Sequence, residues 1–144
     1  MDKIDPIRRS ANMARIKGRN TAPELAVRRI AHGMGLRFRL HRSDLPGKPD
    51  IVFPRHRLAL FVNGCFWHRH VGCRKATTPT TRPEFWDAKF RATVDRDARQ
   101  HAELQQTGWR VLVLWECQIS QRPIVENAIR AFIFPTSEFD DLRN

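Results

Sequence analysis

The segment from residue 60 to residue 73 carries two of the three cysteines of this chain and two of its six histidines. Cys65, His70 and Cys73 have the spacing of soft metal ligands, His68 lies between them, and Cys117 is far downstream. A structural zinc site needs four thiolate or imidazole ligands in a tetrahedron. If Cys117 is the fourth ligand, the fold must return it to this segment. Because Cys-x4-His-x2-Cys is not a standard finger spacing, packed cysteines beside an incidental histidine stay open as the alternative.

The charge of the chain points to a polyanionic partner. Lys and Arg number 26 against 15 Asp and Glu, which gives a net charge of +11. Between Arg8 and Arg29 the basic residues are interrupted by one acid, Glu24. This excess favours nucleic acid over a membrane surface, since no long apolar helix face accompanies it. The alternative is a basic protein whose charge serves only solubility.

Composition also bears on location. No apolar run is long enough to span a bilayer, and the first residues lack the apolar region of a signal peptide. Three cysteines cannot all pair within the chain, so a reducing compartment is favoured. We therefore expect a cytoplasmic protein without a membrane span.

Hydrophobic periodicity predicts one α/β domain over residues 1–144, with a central mixed sheet flanked by helices. Residues 1–20 are expected to be a basic DNA-contacting arm or helix, and residues 136–144 a loose tail. Thr21, Pro23 and Glu24 predict a helix start of the capping-box type. The predicted strands are 36–40, a hairpin of 50–53 and 58–62, and 110–115; further helices are predicted at 83–106 and 124–132.

Two finer predictions follow from this pattern. The strand at 110–115 is continuously apolar, so we expect it at the centre of the sheet. Trp86, Phe90 and Val94 lie four residues apart and are expected on one face of the long helix.

Asp50 stands at the open end of the predicted hairpin. A carboxylate after Pro-Gly-x-Pro is often only a turn former, but it can also bind Mg²⁺ for phosphodiester cleavage, together with a main-chain carbonyl of the returning strand. His68 is a candidate general base because imidazole exchanges protons near physiological pH, although beside cysteines it could be a further zinc ligand.

Phe66 and Trp67 have potential ligands on both sides, which limits how deeply both rings can be buried. Apolar wedges that unstack base steps are a known use of such side chains in proteins that distort DNA. For Trp86 the helical spacing to Phe90 also fits ordinary packing.

Several ordered motifs resemble the very-short-patch repair (Vsr) DNA mismatch endonucleases. The match runs from about residue 9 to about residue 118, and its order makes it specific. The motifs are Arg-Ser-Ala-Asn-Met at 9–13, Thr-Ala-Pro-Glu at 21–24, Leu-Pro-Gly-Lys-Pro-Asp at 45–50, Phe-Val-Asn-Gly-Cys-Phe-Trp-His at 61–68, Thr-Arg-Pro-Glu-Phe-Trp at 81–86 and Gly-Trp-Arg-Val-Leu-Val-Leu-Trp-Glu-Cys at 108–117.

The resemblance implies a restriction-endonuclease-like fold with a structural zinc ion and catalytic Mg²⁺. It implies that Asp50 and the main-chain oxygen of Val62 bind Mg²⁺, that His68 is the general base and that Glu24 assists. In the family a threonine and a histidine follow the second strand, where this chain has Val62 and Asn63. The carbonyl of residue 62 survives the first change, whereas an amide at residue 63 can position a group without titrating.

The resemblance also assigns the remaining site residues. The segment between His70 and Cys73 differs in length by one residue from the family, and the chain past residue 118 matches poorly. The implied zinc ligands are Cys65, His70, Cys73 and Cys117, and the residues implied to wedge beside the mismatch are Phe66, Trp67 and Trp86, with Met13 entering from the opposite side.

The function expected from the resemblance is Mg²⁺-dependent nicking of duplex DNA on the 5′ side of the thymine in a T·G mismatch, which arises when 5-methylcytosine deaminates. The implied protein partner is the mismatch-repair protein MutL, and we expect a monomer. The resemblance also implies a bacterial, nucleoid-associated protein. The alternatives are a related restriction-type nuclease without mismatch preference and a non-catalytic zinc-dependent DNA-binding module.

Overall fold

The predicted hairpin forms the middle of the sheet in the computed structural model, which describes residues 20–134. Strand β2 spans Ile51–Phe53, a 3-10 turn covers Pro54–His56, and β3 spans Leu58–Asn63. The two strands are antiparallel, with Ile51 opposite Leu60. Because both strands are buried on both faces, their apolar residues run continuously rather than alternating with polar ones.

The sheet has four strands in the order β1-β2-β3-β4. Strand β1 (Arg39–Leu40) pairs antiparallel with β2, and β4 (Arg110–Trp115) pairs parallel with β3. The predicted central position of β4 is wrong, because among the described residues it lies at the edge of the sheet. The strand is apolar because helices cover both of its faces. The first strand is also shorter than the predicted 36–40.

Helices cover the sheet on two sides and create two cores. On one side lie α1 (Ala22–Gly33), the short α3 (Glu116–Ile119), which the sequence did not predict, and α4 (Arg122–Ile133). The core on that side combines buried residues of all three helices with those of the sheet: Val27, Ile30, Ala31, Ile51, Phe53, Leu58, Leu60, Leu112, Leu114, Ile119, Val125, Ile129 and Ile133.

The long helix α2 (Pro83–Gln106) covers the opposite face and begins and ends where the sequence predicted. Its buried residue Leu104 packs against Ala59 and Phe61 of β3. The expectation for Val94 is wrong, since 42% of this residue is exposed. Each step of four residues along a helix rotates the side-chain direction by about 40°. The side chains of residues 86, 90 and 94 therefore do not all face the sheet. Steps of seven residues stay on one face, and Phe90 and Leu104 define it.

Helix α1 begins at the predicted cap, and its first turn places Glu24. The Thr21 hydroxyl accepts a hydrogen bond from the Glu24 N–H at 3.4 Å. In a capping box the glutamate would return a bond to the cap residue, but here it accepts the N–H of Asn20 at 3.1 Å. Glu24 is only 5% exposed, so the cap fixes a buried carboxylate near one end of the sheet.

Met13, the basic arm and the tail after residue 135 lie outside the described residues. Within residues 20–134, no helix combines the length and apolarity needed to cross a membrane.

Candidate active site

The hairpin register places Asp50 beside the end of β3. Its Oδ2 atom accepts the main-chain N–H of Val62 at 2.7 Å. Burial raises the pKa of Asp50 to about 7; the Val62 N–H acts against this rise, and the carboxylate of Glu24 adds to it. Two carboxylates forced together out of water are an arrangement that a bound cation relieves.

Three side chains from separate elements meet at this point. Potential ligand atoms of Glu24, His41 and Asp50 lie within 4.8 Å of one another, so the three residues could hold a divalent cation. Sequence reasoning found Glu24 and Asp50 but missed His41. The signal lies in the pairing of β1 with β2: Leu40 opposes Ile51, so the residue after β1 lies beside the residue before β2.

His68 faces the same cleft and is held by a carboxylate of α2. The His68 Nδ1 atom lies 2.5 Å from Asp97 Oδ2, and both side chains are largely buried. Because Asp97 occupies Nδ1, Nε2 is the ring nitrogen left to exchange a proton. Asp97 was also missed from the sequence. It lies seven residues after Phe90 and seven before Leu104, on the inner face of α2, so helical spacing could have found it.

A cleft of about 910 Å³ connects these groups. The four residues predicted as catalytic, Asp50, His68, Glu24 and Asn63, all line it. Asn63 is 6% exposed at the end of β3. The structure therefore gathers the predicted groups at one end of the sheet, together with His41 and Asp97.

The three cysteines and His70 form a second cluster. Their ligand atoms lie within 4.8 Å of one another. His70 Nδ1 is 3.6 Å from the sulfur of Cys65 and 3.4 Å from that of Cys117. A tetrahedral site with metal–sulfur bonds of about 2.3 Å and metal–nitrogen bonds of about 2.0 Å has edges of about 3.5 Å between nitrogen and sulfur. The four residues therefore fit a tetrahedral metal site.

The parallel pairing of β3 with β4 explains how Cys117 reaches this cluster. Asn63 opposes Trp115, so the residues that follow the two strands lie side by side. The ring of His70 stacks on Trp115 at 4.3 Å. Burial raises the pKa of the Cys65 thiol to about 12, whereas the Lys75 main chain lowers that of Cys73. A buried thiol of this kind becomes a ligand only when a cation stabilises its thiolate.

An aromatic cluster formed by Phe66, Trp67, Trp86 and Phe90 lies beside the cleft. Phe66 contacts Trp67 with ring centroids 5.1 Å apart and Phe90 at 5.2 Å, and Trp67 lies 5.8 Å from Trp86. Phe90 is buried, while the other three are only half-buried. Phe66 and Trp67 also line the cleft beside His68. The cluster is thus anchored by a buried ring and leaves its other three rings partly exposed.

Comparison with known proteins places the chain in a family. The family model described as DNA mismatch endonuclease Vsr matches residues 1–75. The DNA mismatch endonuclease Vsr of Escherichia coli is 44% identical, over 84% of this chain and 77% of that protein. The chain belongs to the Vsr family. The type II nicking enzyme V.XorIIP of Xanthomonas oryzae pv. oryzae is 48% identical, over 94% of this chain and 98% of that enzyme.

A solved structure agrees with the fold. The catalytic domain of the homing endonuclease I-Bth0305I superposes with a TM-score of 0.55, covering 78% of this chain and 94% of that domain. At 22% identity this likeness concerns the fold alone. The predicted restriction-endonuclease-like α/β fold and the Vsr resemblance are confirmed, and the protein is a DNA endonuclease.

One further residue of this Vsr-family chain organises the loop between β3 and α2. We call residues 64–82 the cysteine loop. The guanidinium of Arg69 lies 3.9 Å from the ring centroid of Phe90. It also donates hydrogen bonds within the loop, to the carbonyl oxygens of Phe66 (3.2 Å), Ala76 (3.2 Å) and Thr77 (2.9 Å) and to the hydroxyl of Thr78 (3.1 Å). No periodicity marks Arg69, so sequence reasoning missed it.

Proposed function

We propose that this Vsr-family endonuclease nicks one strand of duplex DNA on the 5′ side of the thymine in a T·G mismatch, with Mg²⁺ as its catalytic cofactor. The observation that carries the proposal is one cleft that joins a carboxylate pair, an oriented histidine and half-buried aromatic rings. The relatives support it, since one is a mismatch endonuclease and another a nicking enzyme.

The residues of the cleft divide the hydrolysis between them. His68, held by Asp97 through Nδ1, takes a proton from the attacking water through Nε2. The water oxygen joins phosphorus as the bond to the 3′ oxygen breaks, which leaves a 5′-phosphate and, with a proton from solvent, a 3′-hydroxyl. Mg²⁺, when bound, stabilises the charge on the attacking and leaving oxygens.

The proposed Mg²⁺ ligands are Asp50 and the main-chain oxygen of Val62, with Glu24 assisting. The closeness of the Glu24 and Asp50 carboxyl groups supports this assignment, because hard cations prefer oxygen ligands. Asn63 is proposed to position a group in the cleft without exchanging a proton.

Mismatch recognition is assigned to the aromatic cluster. Unstacking a base step costs a few kcal/mol, and the cost is smallest where the pair is already mismatched. Phe66, Trp67 and Trp86 are proposed to enter beside the T·G pair from the major groove, and Met13 from the opposite side. Their half-buried rings can offer such a surface while their contacts with one another keep them ordered.

We assign zinc to the Cys/His cluster as a structural ion held by Cys65, His70, Cys73 and Cys117. The tetrahedral spacing and the sulfur-rich donor set support zinc over the oxygen-preferring cations. Four further expectations stay predictions. They are the single domain, the monomeric state, the contact with MutL and the cytoplasmic, nucleoid-associated location.

A nicking assay tests the proposal. Purified protein with Mg²⁺ is given duplexes that differ only in a T·G or a T·A pair, together with an Asp50→Ala variant and the control Asp44→Ala, whose side chain is 61% exposed. We expect the wild type and the control to nick the T·G duplex. Asp50→Ala should bind the same duplex but not nick it.

Each alternative has its own outcome in this assay. Equal cleavage of both duplexes would support a restriction-type nuclease without mismatch preference. Binding without cleavage by the wild type would support a DNA-binding module, and normal nicking by Asp50→Ala would refute the assigned cation site.

A further inference from the structure

His41 joins the two carboxylates of the candidate cation site, and the inference drawn from it rests on the proposed function. Its main-chain N–H donates to the carbonyl oxygen of Asp50 at 3.3 Å. Its ring Nε2 lies 3.0 Å from Oε2 of Glu24. One residue is therefore bonded to both acids, although Glu24 belongs to α1 and Asp50 precedes β2.

The environment of Glu24 shows what the imidazole does. The Oε2 atom of Glu24 is within hydrogen-bond distance of three nitrogens: the main-chain N of Asn20 at 3.1 Å, Arg28 Nη2 at 3.2 Å and His41 Nε2 at 3.0 Å. Three donors leave this oxygen no lone pair for a cation. The other oxygen, Oε1, is therefore the one available to a cation that Asp50 also binds. Because Asn20 and Arg28 approach from the α1 side, His41 is the donor that ties the carboxylate to the sheet.

The backbone of His41 is shaped for this contact. Its φ angle is 46°, in the left-handed region that residues other than glycine rarely adopt, although histidine adopts it more often than most. Its side chain is 13% exposed, so the ring is part of the cleft wall. A strained conformation at a buried polar contact is typical of residues that hold a functional group in place.

We infer that His41 is a positioning residue: its Nε2–H holds the Glu24 carboxylate so that Oε1 of Glu24 and the carboxylate of Asp50 face one cation. The close approach of the three side chains would also allow His41 to bind the cation directly. The donor role is favoured because Nε2 points at an oxygen that already accepts two other hydrogen bonds, and because Mg²⁺ prefers oxygen over imidazole nitrogen.

Mn²⁺ is a suitable probe because its binding to the DNA-free, full-length protein can be followed by electron paramagnetic resonance without any cleavage. Removing a residue that orients a metal ligand typically weakens binding about 10- to 100-fold. We expect His41→Ala to show this loss. His41→Gln, which keeps a side-chain N–H donor, should stay within about 3-fold of the wild type. The exposed His32 of α1 supplies the control His32→Ala, which should bind as the wild type does.

Kinetics give a second measurement. His41→Ala should lower kcat for the T·G duplex while KM changes little, because the aromatic cluster proposed to contact DNA is untouched. His41→Gln should restore kcat.

Three results would overturn the inference: unchanged Mn²⁺ affinity in His41→Ala, equally weak binding in His41→Gln and His41→Ala, or a nitrogen coupling from the His41 ring in the Mn²⁺ spectrum. The Asp50→Ala variant separates this failure from failure of the cation site. If Asp50→Ala loses Mn²⁺ while His41→Ala does not, the site stands and only the role of His41 falls. If Asp50→Ala binds Mn²⁺ normally, the site itself is refuted, and the inference with it.

Discussion

The two walls of the cleft are built in different ways. Asp50, Glu24 and His41 stand at the ends of regular elements, and strand pairing and the α1 cap fix their positions. The opposite wall is the cysteine loop, which contains neither helix nor strand over residues 64–82. The carboxylate wall therefore depends on the fold itself, whereas the loop depends on side-chain contacts and on its candidate metal site.

Burial shows why the loop needs such contacts. The residues of β2 and β3 are almost all buried, whereas about half of the loop residues are exposed, including Val71 at 93%, and nearly all the others are only half-buried. Ordering a residue costs about 1–2 kcal/mol of conformational entropy, and little apolar burial offsets that cost here. Cys65 is the main exception, since it is fully buried. Hydrogen bonds and metal ligation within the loop must therefore offset the remaining entropy cost. We expect the loop, but not the carboxylate wall, to lose order when these bonds are removed.

Removing the proposed zinc ion should have the largest effect. Chelation, or Cys65→Ser, is expected to disorder the cysteine loop and reduce nicking to background, because the loop carries His68 and two rings of the aromatic cluster. The sheet should persist, since its core is independent of the cluster. Hydrogen exchange measures this contrast: amides of residues 64–82 should lose protection while those of β3 keep it.

Zinc returned to the chelated wild type should restore both protection and nicking, and Val71→Ala serves as a loop control that should change neither. Equal loss of protection in the loop and in β3 would show that the two walls are not independent. Unchanged loop protection after chelation would contradict a structural metal.

The contact of His68 in the cysteine loop with Asp97 of α2 gives the next prediction. His68→Ala should lower kcat about 10²- to 10⁴-fold, the usual contribution of a general base. Asp97→Asn keeps the shape of the side chain but loses its charge. A charged hydrogen bond contributes about 1.5–3 kcal/mol, so kcat should fall about 10- to 100-fold.

Asp95 lies exposed on the same helix and supplies the control Asp95→Asn. Single-turnover nicking with bound T·G duplex separates the chemical step from DNA affinity. If Asp97→Asn behaves as Asp95→Asn does, Asp97 does not orient the base. Activity of His68→Ala within a few-fold of the wild type would remove His68 from that role.

The same contrast explains what could be predicted from sequence. The hairpin and the bounds of α2 follow from local periodicity and breaker residues, so Asp50 could be placed. His41 depends on the register of β1 with β2, which the side-chain patterns near it do not encode. Asp97 could be found from its seven-residue spacing to Phe90 and Leu104, but only once the buried face of α2 is known. The edge position of β4 was missed for a related reason: an apolar run reports covered faces and not the number of neighbouring strands.

The smallest effect is expected from Arg69, which cross-links the cysteine loop without touching the candidate metal cluster. Arg69→Ala removes four hydrogen bonds and the contact with Phe90, and should lower the free energy of unfolding by about 1–2 kcal/mol. For a chain of this size the midpoint Tm should fall by roughly 3–8 °C. Because the rings of Phe66 and Trp67 then lose a support, the preference for the T·G over the T·A duplex should also fall a few-fold.

Arg74→Ala is the matched control, because it removes the same charge from an exposed position of the same loop. Both variants should lose DNA affinity equally through the lost charge, but only Arg69→Ala should lose Tm and mismatch preference. Arg69→Lys keeps the charge without the planar fork that reaches several carbonyl oxygens, so it should resemble Arg69→Ala in Tm and mismatch preference. If Arg69→Lys instead matches the wild type, the positive charge of residue 69 supports the loop and its hydrogen bonds to the carbonyl oxygens contribute little. The cysteine loop would then depend on its candidate metal cluster more than on these hydrogen bonds.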